Sequence, residues 1–274
     1  MIDLGKAAVD RILGFLGYGN PRASRWFIGL EEGLGEMNDS DIVANLSARG
    51  RFSEVMDLSD AHLSLLEGGR PYDLSQRQKF TQVWLWMGRL ARAIEGALDW
   101  RDVNRAKDYI RNRLGRSAGR TFLTYLSPIP AKNLSDRSWV EFLKHDEPDL
   151  NPALAARQQK LRNFLDLHQP RLVICHGSSA RRRYHSLLNS RGWELLPSHS
   201  SIEICDVSPG RCYVVSPFFG NGQMSISIAG ELVTGLRDRG VLAGRSDDIF
   251  PRASGAEIES TSSLRTSVLS LIHI

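Results

Sequence analysis

Three short runs in this 274-residue chain combine glycine, acidic, aromatic and amide residues immediately after an apolar stretch. The first is Gly29-Leu30-Glu31-Glu32-Gly33, following Trp26-Phe27-Ile28. Glycine lets backbone approach a ligand closely, and a carboxylate at a strand end can orient a water molecule for attack. The second is Tyr125-Leu126-Ser127-Pro128-Ile129-Pro130, after the β-rich run from Thr121. The third is Ser216-Pro217-Phe218-Phe219-Gly220-Asn221-Gly222-Gln223, after Cys212 to Val215. Each run also has a plain structural reading. Glu31 and Glu32 suit a solvated turn whose charges favour the start of the next helix. Phe218 and Phe219 suit packing beneath a glycine-rich turn, and Asn221 and Gln223 suit the closing of that turn.

Other chemistry-bearing residues stand outside these runs. His176 follows an apolar strand and precedes Gly177, so it either faces the crevice beyond the strand or is a hydrogen-bonded structural histidine. Arg181-Arg182-Arg183 reads either as a phosphate contact or as an ordinary solvated face. Cys175, Cys205 and Cys212 lack metal-ligand spacing and fit reduced thiols. Neither a G-x-S-x-G elbow nor a Walker-type phosphate loop is present. Chemistry without a metal or cofactor is therefore expected.

The elements that must position these residues follow from periodicity. Helices are expected over Leu4–Leu16, from an N-cap at Asp39 or Ser40, around Phe52–Leu66, and over Ser75–Leu98, Asp102–Leu114, Pro152–His168, Ser179–Ser190 and Gln223–Gly240. Strands are expected at Arg25–Leu30, Thr121–Leu126, Arg171–Cys175, Ser201–Cys205 and Cys212–Val215. Short apolar strands alternating with helices indicate an α/β fold: a three-layer α/β/α sandwich with a mostly parallel central sheet. In such sheets ligands bind beyond the carboxyl ends of the strands, where all three runs fall.

In this order the runs resemble the motifs of the uracil-DNA glycosylase superfamily, nearest to its single-strand-selective monofunctional branch. Gly29 to Gly33 matches a G-M-N-P-G pattern at the glycines, Tyr125 to Ile129 fits N-x-C-P-L, and Ser216 to Gln223 aligns with H-P-S-P-R-N-P-Q. The strand-glycine-helix unit from Leu172 to Ala180 also looks like the strand before the family's last motif, and the likeness spans residues 22–240. It implies hydrolysis of a base N-glycosidic bond in DNA, as in DNA repair. Glu31 would orient the water, with Ser216 as the second catalytic position. Gly29, Glu32, Gly33, Tyr125, Phe218, Phe219, Asn221 and Gln223 would bind substrate, a phenylalanine serving as the wedge that holds a flipped base out of the stack. The chain departs from the family at three places: Glu31 replaces its water-positioning Asn or Asp, Tyr125 its base-reading Asn, and Ser216 its His. The alternative is a catalytically inactive module on the same fold that binds nucleic acid or a nucleotide.

Composition bounds the rest. Hydrophobic residues make up 42% and charged residues 24%, ordinary for a globular domain. A formal charge of +4 and a pI near 9.1 permit a phosphate-backbone partner. The expected partner is single-stranded or damaged DNA, bound by a cytoplasmic monomer with no membrane segment. Residues 1–242 are expected to form the glycosylase-like domain. Residues 243–274, rich in Ser, Thr and Arg, are expected to be disordered or a non-native ending.

Overall fold

The computed structural model describes residues 4–33, 38–131 and 147–242, with residues 147–151 described by their backbone alone. The tail from Ala243 lies outside the described residues.

Four short strands form the centre of the sheet: β2 (Arg25–Gly29), β6 (Thr121–Tyr125), β7 (Leu172–His176) and β10 (Arg211–Ser216). They lie side by side in the order β6-β2-β7-β10, and all three junctions are parallel. Outside β6 stand β1 (Gly17–Gly19), antiparallel to it, and β3 (Val55–Met56), parallel to β1. Beyond β10 an antiparallel ribbon of β9 (His199–Ser208) and β8 (Glu194–Leu196) completes eight strands. A separate hairpin pairs β4 (Leu66–Glu67) with β5 (Arg70–Pro71).

Every residue of β2, β6 and β7 is buried, as expected of parallel strands covered on both faces. Alternate residues divide between two layers. Phe27, Leu123, Tyr125, Ile174 and Val214 pack with Trp84, Leu90 and Ile94 of α4 (Gln82–Ile94) and with Leu232 and Leu236 of α8 (Ile226–Asp238). Trp26, Ile28, Phe122, Val173, Cys175 and Val215 pack with Leu161 and Leu165 of α6 (Glu147–His168) and Leu187 of α7 (Arg181–Leu188). A third cluster joins Ile12 of α1 (Lys6–Gly14), Leu46 of α2 (Asp39–Arg49) and Ile129. The remaining described α-helices are α3 (Leu58–Leu63) and α5 (Val103–Asn112), the latter packed on α4. This is the expected α/β sandwich.

Local expectations change in several places. Gly17-Tyr18-Gly19 forms an edge strand, where its glycines suggested only a helix stop. Phe52–Leu66 splits into β3 and the short α3, whose cap is the Asp57 carboxylate accepting from Ser59 N. Helix α2 is capped one residue earlier than expected, by the Asn38 side chain accepting from Asp41 N. Helix α4 starts only after Thr81, whose hydroxyl accepts from Trp84 N, so Ser75 to Phe80 lie outside it. Helix α6 reaches back to Glu147, and α8 begins after its Ser225 cap.

Candidate functional site

The central strands end together. Gly29 pairs with Tyr125 across β2 and β6, and His176 pairs with Ser216 across β7 and β10. With Ile28 paired to Cys175, these four residues form one row across the carboxyl edge, projecting toward the α4–α8 layer. The loops beyond are laced together. Leu126 N donates to Gly29 O at 2.9 Å, Ser127 N to Leu30 O at 2.7 Å, and Ala131 N to Glu32 O at 3.0 Å. Gly33 bridges to Ala131, and on the other side Gly177 N donates to Ser216 O at 3.0 Å.

Glu31 and Glu32 part company in this loop. Glu32 turns into a buried polar cluster, its side chain only 13% exposed. Its Oε2 accepts from the Tyr18 hydroxyl at 2.8 Å and its Oε1 from Arg49 Nη2 at 2.9 Å. Arg49 Nη1 also donates to the Tyr18 hydroxyl oxygen at 3.1 Å. Burial alone would raise the Glu32 pKa, but the Arg49 guanidinium first, with the Tyr18 hydrogen bond, holds it below the usual value. Glu32 is therefore an ionised carboxylate at neutral pH. The charge of Glu31, after burial and Cys175, helps raise the pKa of the Tyr184 phenol, which lies in the opposite layer.

His62 Nε2 stands 3.6 Å from Glu32 Oε1. Its Nδ1 lies 2.9 Å from the Leu58 carbonyl oxygen, which can only accept, so Nδ1 carries the proton. Burial pushes the imidazole down to about 4, against the opposing pull of Glu32, so the ring is neutral and Nε2 presents a lone pair. A carboxylate and a nitrogen lone pair thus stand side by side as two acceptors. Tyr72 and Trp84 close the other sides of the imidazole, with ring centroids at 5.0 and 5.1 Å.

Tyr125 joins this cluster to the strand-end row. It is 7% exposed, and its phenol pKa is raised by burial first and by Glu32 next. At its other side, a Cβ added at Gly29 would lie 2.8 Å from Tyr125 Cδ1 and 3.0 Å from His176 Nε2. Only glycine fits at position 29.

His176 is 1% exposed, and among the described residues neither ring nitrogen has a hydrogen-bond partner. Burial drives its pKa down to about 3, so it is a neutral imidazole. Phe219 stacks on it at 4.6 Å and 13°, and Phe218 at 5.8 Å and 30°. His176 lies in the row at the strand ends, covered by the two phenylalanine rings.

The third loop places its residues unequally. Ser216 is wholly buried, and its hydroxyl points at the carbonyl oxygens of Cys175 (3.3 Å) and Pro217 (3.2 Å). Phe219 is core, whereas Phe218 is only partly buried. Asn221 and Gly222 form an exposed turn with φ of 53° and 72°, and exposed Gln223 closes it by donating N–H to Gly220 O. Arg182 and Arg183 are exposed on the first turn of α7, just past the β7 end. Among the described residues, no group of three or more His, Cys, Asp or Glu side chains is arranged to hold a metal ion. No described helix is long and apolar enough to cross a membrane.

Sequence reasoning missed Tyr18, Arg49 and His62. Each lies in a segment with no local mark of chemistry, and only the fold brings it to Glu32. No protein-family model and no curated protein matches the chain.

Proposed function

We propose that this protein hydrolyses the N-glycosidic bond of a base in DNA, with Glu32 rather than Glu31 as the carboxylate that orients water. One observation carries the reading: the loop after β2, at the carboxyl end of the parallel sheet, holds an ionised carboxylate with the lone pair of His62 beside it. In the reaction, the C1′–N bond breaks and its electron pair leaves with the base. Water oxygen bonds to C1′, and the proton that water gives up passes to the Glu32–His62 pair. The negative charge of Glu32 also favours the cationic sugar that develops in the transition state. Phe218, as the partly exposed member of its pair, serves as the wedge, and Arg182 and Arg183 meet the phosphates. Ser216, facing backbone carbonyls, holds the end of β10 and does not touch the base.

The test is incubation with single-stranded oligonucleotides bearing uracil, hypoxanthine or xanthine, scored for abasic product. Wild type is expected to form product with at least one base and Glu32→Gln to form far less. Absence of product above the Glu32→Gln level overturns the reading.

A second reading has its own observation. The Tyr125 ring stands buried within the strand-end row, where a base would have to enter. A module that binds nucleic acid without hydrolysing it fits that closure. Steeply salt-dependent oligonucleotide binding with no base release would decide for it.

A further inference from the structure

A buried charge needs an opposite charge or well-placed hydrogen bonds to offset its loss of water. Arg157, on α6, is 2% exposed, and burial pushes its pKa down to about 10 with no charge of the described residues contributing. It is still a cation at neutral pH, and two main-chain carbonyls hold it. Its Nε donates to Phe15 O at 2.9 Å and its Nη1 to Leu126 O at 3.2 Å. A guanidinium reaches both at once because its donors form a rigid fork. Phe15 caps the carboxyl end of α1, where the helix dipole favours a cation.

From these two carbonyls, separate routes lead to Glu32. The Phe15 ring packs edge-on against Tyr18 at 4.9 Å, and Tyr18 donates its hydroxyl to Glu32 Oε2 at 2.8 Å. Leu126 opens the loop that is laced to the Glu32 loop: Leu126 N donates to Gly29 O, Ser127 N to Leu30 O and Ala131 N to Glu32 O. The first route fixes the carboxylate, and the second fixes the backbone that carries it. Beside them the Thr124 hydroxyl donates to the Leu16 carbonyl, joining the same two segments again.

We infer that Arg157 is a positioning residue, which braces both supports of Glu32 from outside the site and so sets where that carboxylate stands. Its effect on the reaction rests on the proposed function, which gives Glu32 its role. The brace matters because a misplacement of ~1 Å is enough to cost about 100-fold in rate.

The experiment follows the Glu32 carboxyl carbon of the full chain by NMR, with ¹³C-labelled glutamate and Glu32→Gln to assign the signal. Arg157→Met and Arg157→Lys are compared with Arg162→Met. Arg162 stands on the same helix and also donates to main-chain carbonyls, but to those of Ser186 and Leu187 in α7. In wild type and Arg162→Met the Glu32 signal is expected to hold one position and to protonate only below the usual carboxylate range. In Arg157→Met it is expected to move at neutral pH and to titrate about one pH unit or more higher, as the Arg49 and Tyr18 contacts loosen. Arg157→Lys, which keeps the charge and loses the fork, is expected to move it in the same direction. Base release is measured in parallel, and Arg157→Met is expected to lower kcat about 100-fold with little change in KM.

A Glu32 signal that moves in neither variant, or as far in Arg162→Met as in Arg157→Met, overturns the inference whether or not wild type releases base. If the signal moves with Arg157 alone while wild type cleaves no oligonucleotide, the inference about position stands and the hydrolytic reading fails. Should Arg157→Met not fold, Arg157→Lys decides by the same comparison.

Discussion

Gly29 and His176 meet across the junction of β2 and β7 so closely that a single methyl group on Gly29 would lie 3.0 Å from the imidazole Cε1 and Nε2. The same methyl would lie 2.8 Å from Tyr125 Cδ1. Neither neighbour can withdraw easily, since both are buried. Gly29→Ala is therefore expected to cost about 1–3 kcal/mol, the usual penalty for overfilling a packed site. Gly33, where an added Cβ meets none of the described atoms within 4 Å, is the control. Urea denaturation of the two alanine variants checks this, and equal stabilities would mean that the row is loosely packed.

The buried cluster gives a second prediction. Arg49 and Glu32 are matched charges, and removing one leaves the other buried without a partner. Arg49→Met is expected to destabilise the fold by about 3–5 kcal/mol. Tyr18→Phe, which removes only a hydroxyl bonded to both, is expected to cost about 1–3 kcal/mol. Chemical denaturation of both variants measures the order, and a smaller loss for Arg49→Met than for Tyr18→Phe would contradict the assigned pairing.

Stability is expected to fall on the acid side, and the sign follows from the two buried histidines. His62 and His176 have folded values pushed down to about 4 and about 3 from 6.5. Between those values and 6.5 the unfolded chain binds the protons and the folded chain does not. Stability is therefore present in full above 6.5 and is lost as pH falls toward the folded values. Each histidine contributes a slope of up to about 1.4 kcal/mol per pH unit in that window. His176→Phe is expected to remove one such proton from the slope near pH 5. Denaturant midpoints for wild type and variant across the acid range measure it, and parallel curves would show that His176 is protonated in the folded protein.

How much of this could be read from the chain depends on whether the signal is local. The apolar runs Trp26-Phe27-Ile28 and Val173-Ile174-Cys175 announce buried strands by composition, and the runs after them mark the carboxyl edge of the sheet. Which way Glu31 and Glu32 each turn was not legible. Adjacent residues near a strand end turn to opposite sides, so an error of one position exchanges the two layers. Arg49 and His62 sit on helices where an arginine or a histidine reads as a solvated charge. Their partner lies 17 and 30 residues away and is reached only after β1 and β3 join the sheet edge. Tyr18 was hidden for a related reason, because its flanking glycines signal a break more strongly than its burial signals a strand.

The exposed arginines past β7 allow an electrostatic test. Arg182 and Arg183 lie on the first turn of α7, and neither side chain is buried. Replacing both with Gln is expected to weaken binding of single-stranded oligonucleotides of any sequence. The salt slope should fall by up to about 1.4, about 0.7 for each phosphate that is no longer neutralised. Fluorescence anisotropy at several salt concentrations reads both quantities. An unchanged slope would contradict a phosphate contact at Arg182 and Arg183.

The proposed role of Glu32 is tested most directly by single-turnover base release with Glu31→Gln and Glu32→Gln side by side, each first shown to be folded. Wild type should release uracil, hypoxanthine or xanthine from an oligonucleotide. Glu31→Gln should stay within about threefold of it, and Glu32→Gln should be slower by about 100-fold or more, the scale of a missing acid–base group. The opposite ranking of the two variants, or no release by wild type above a protein-free reaction, would contradict the account.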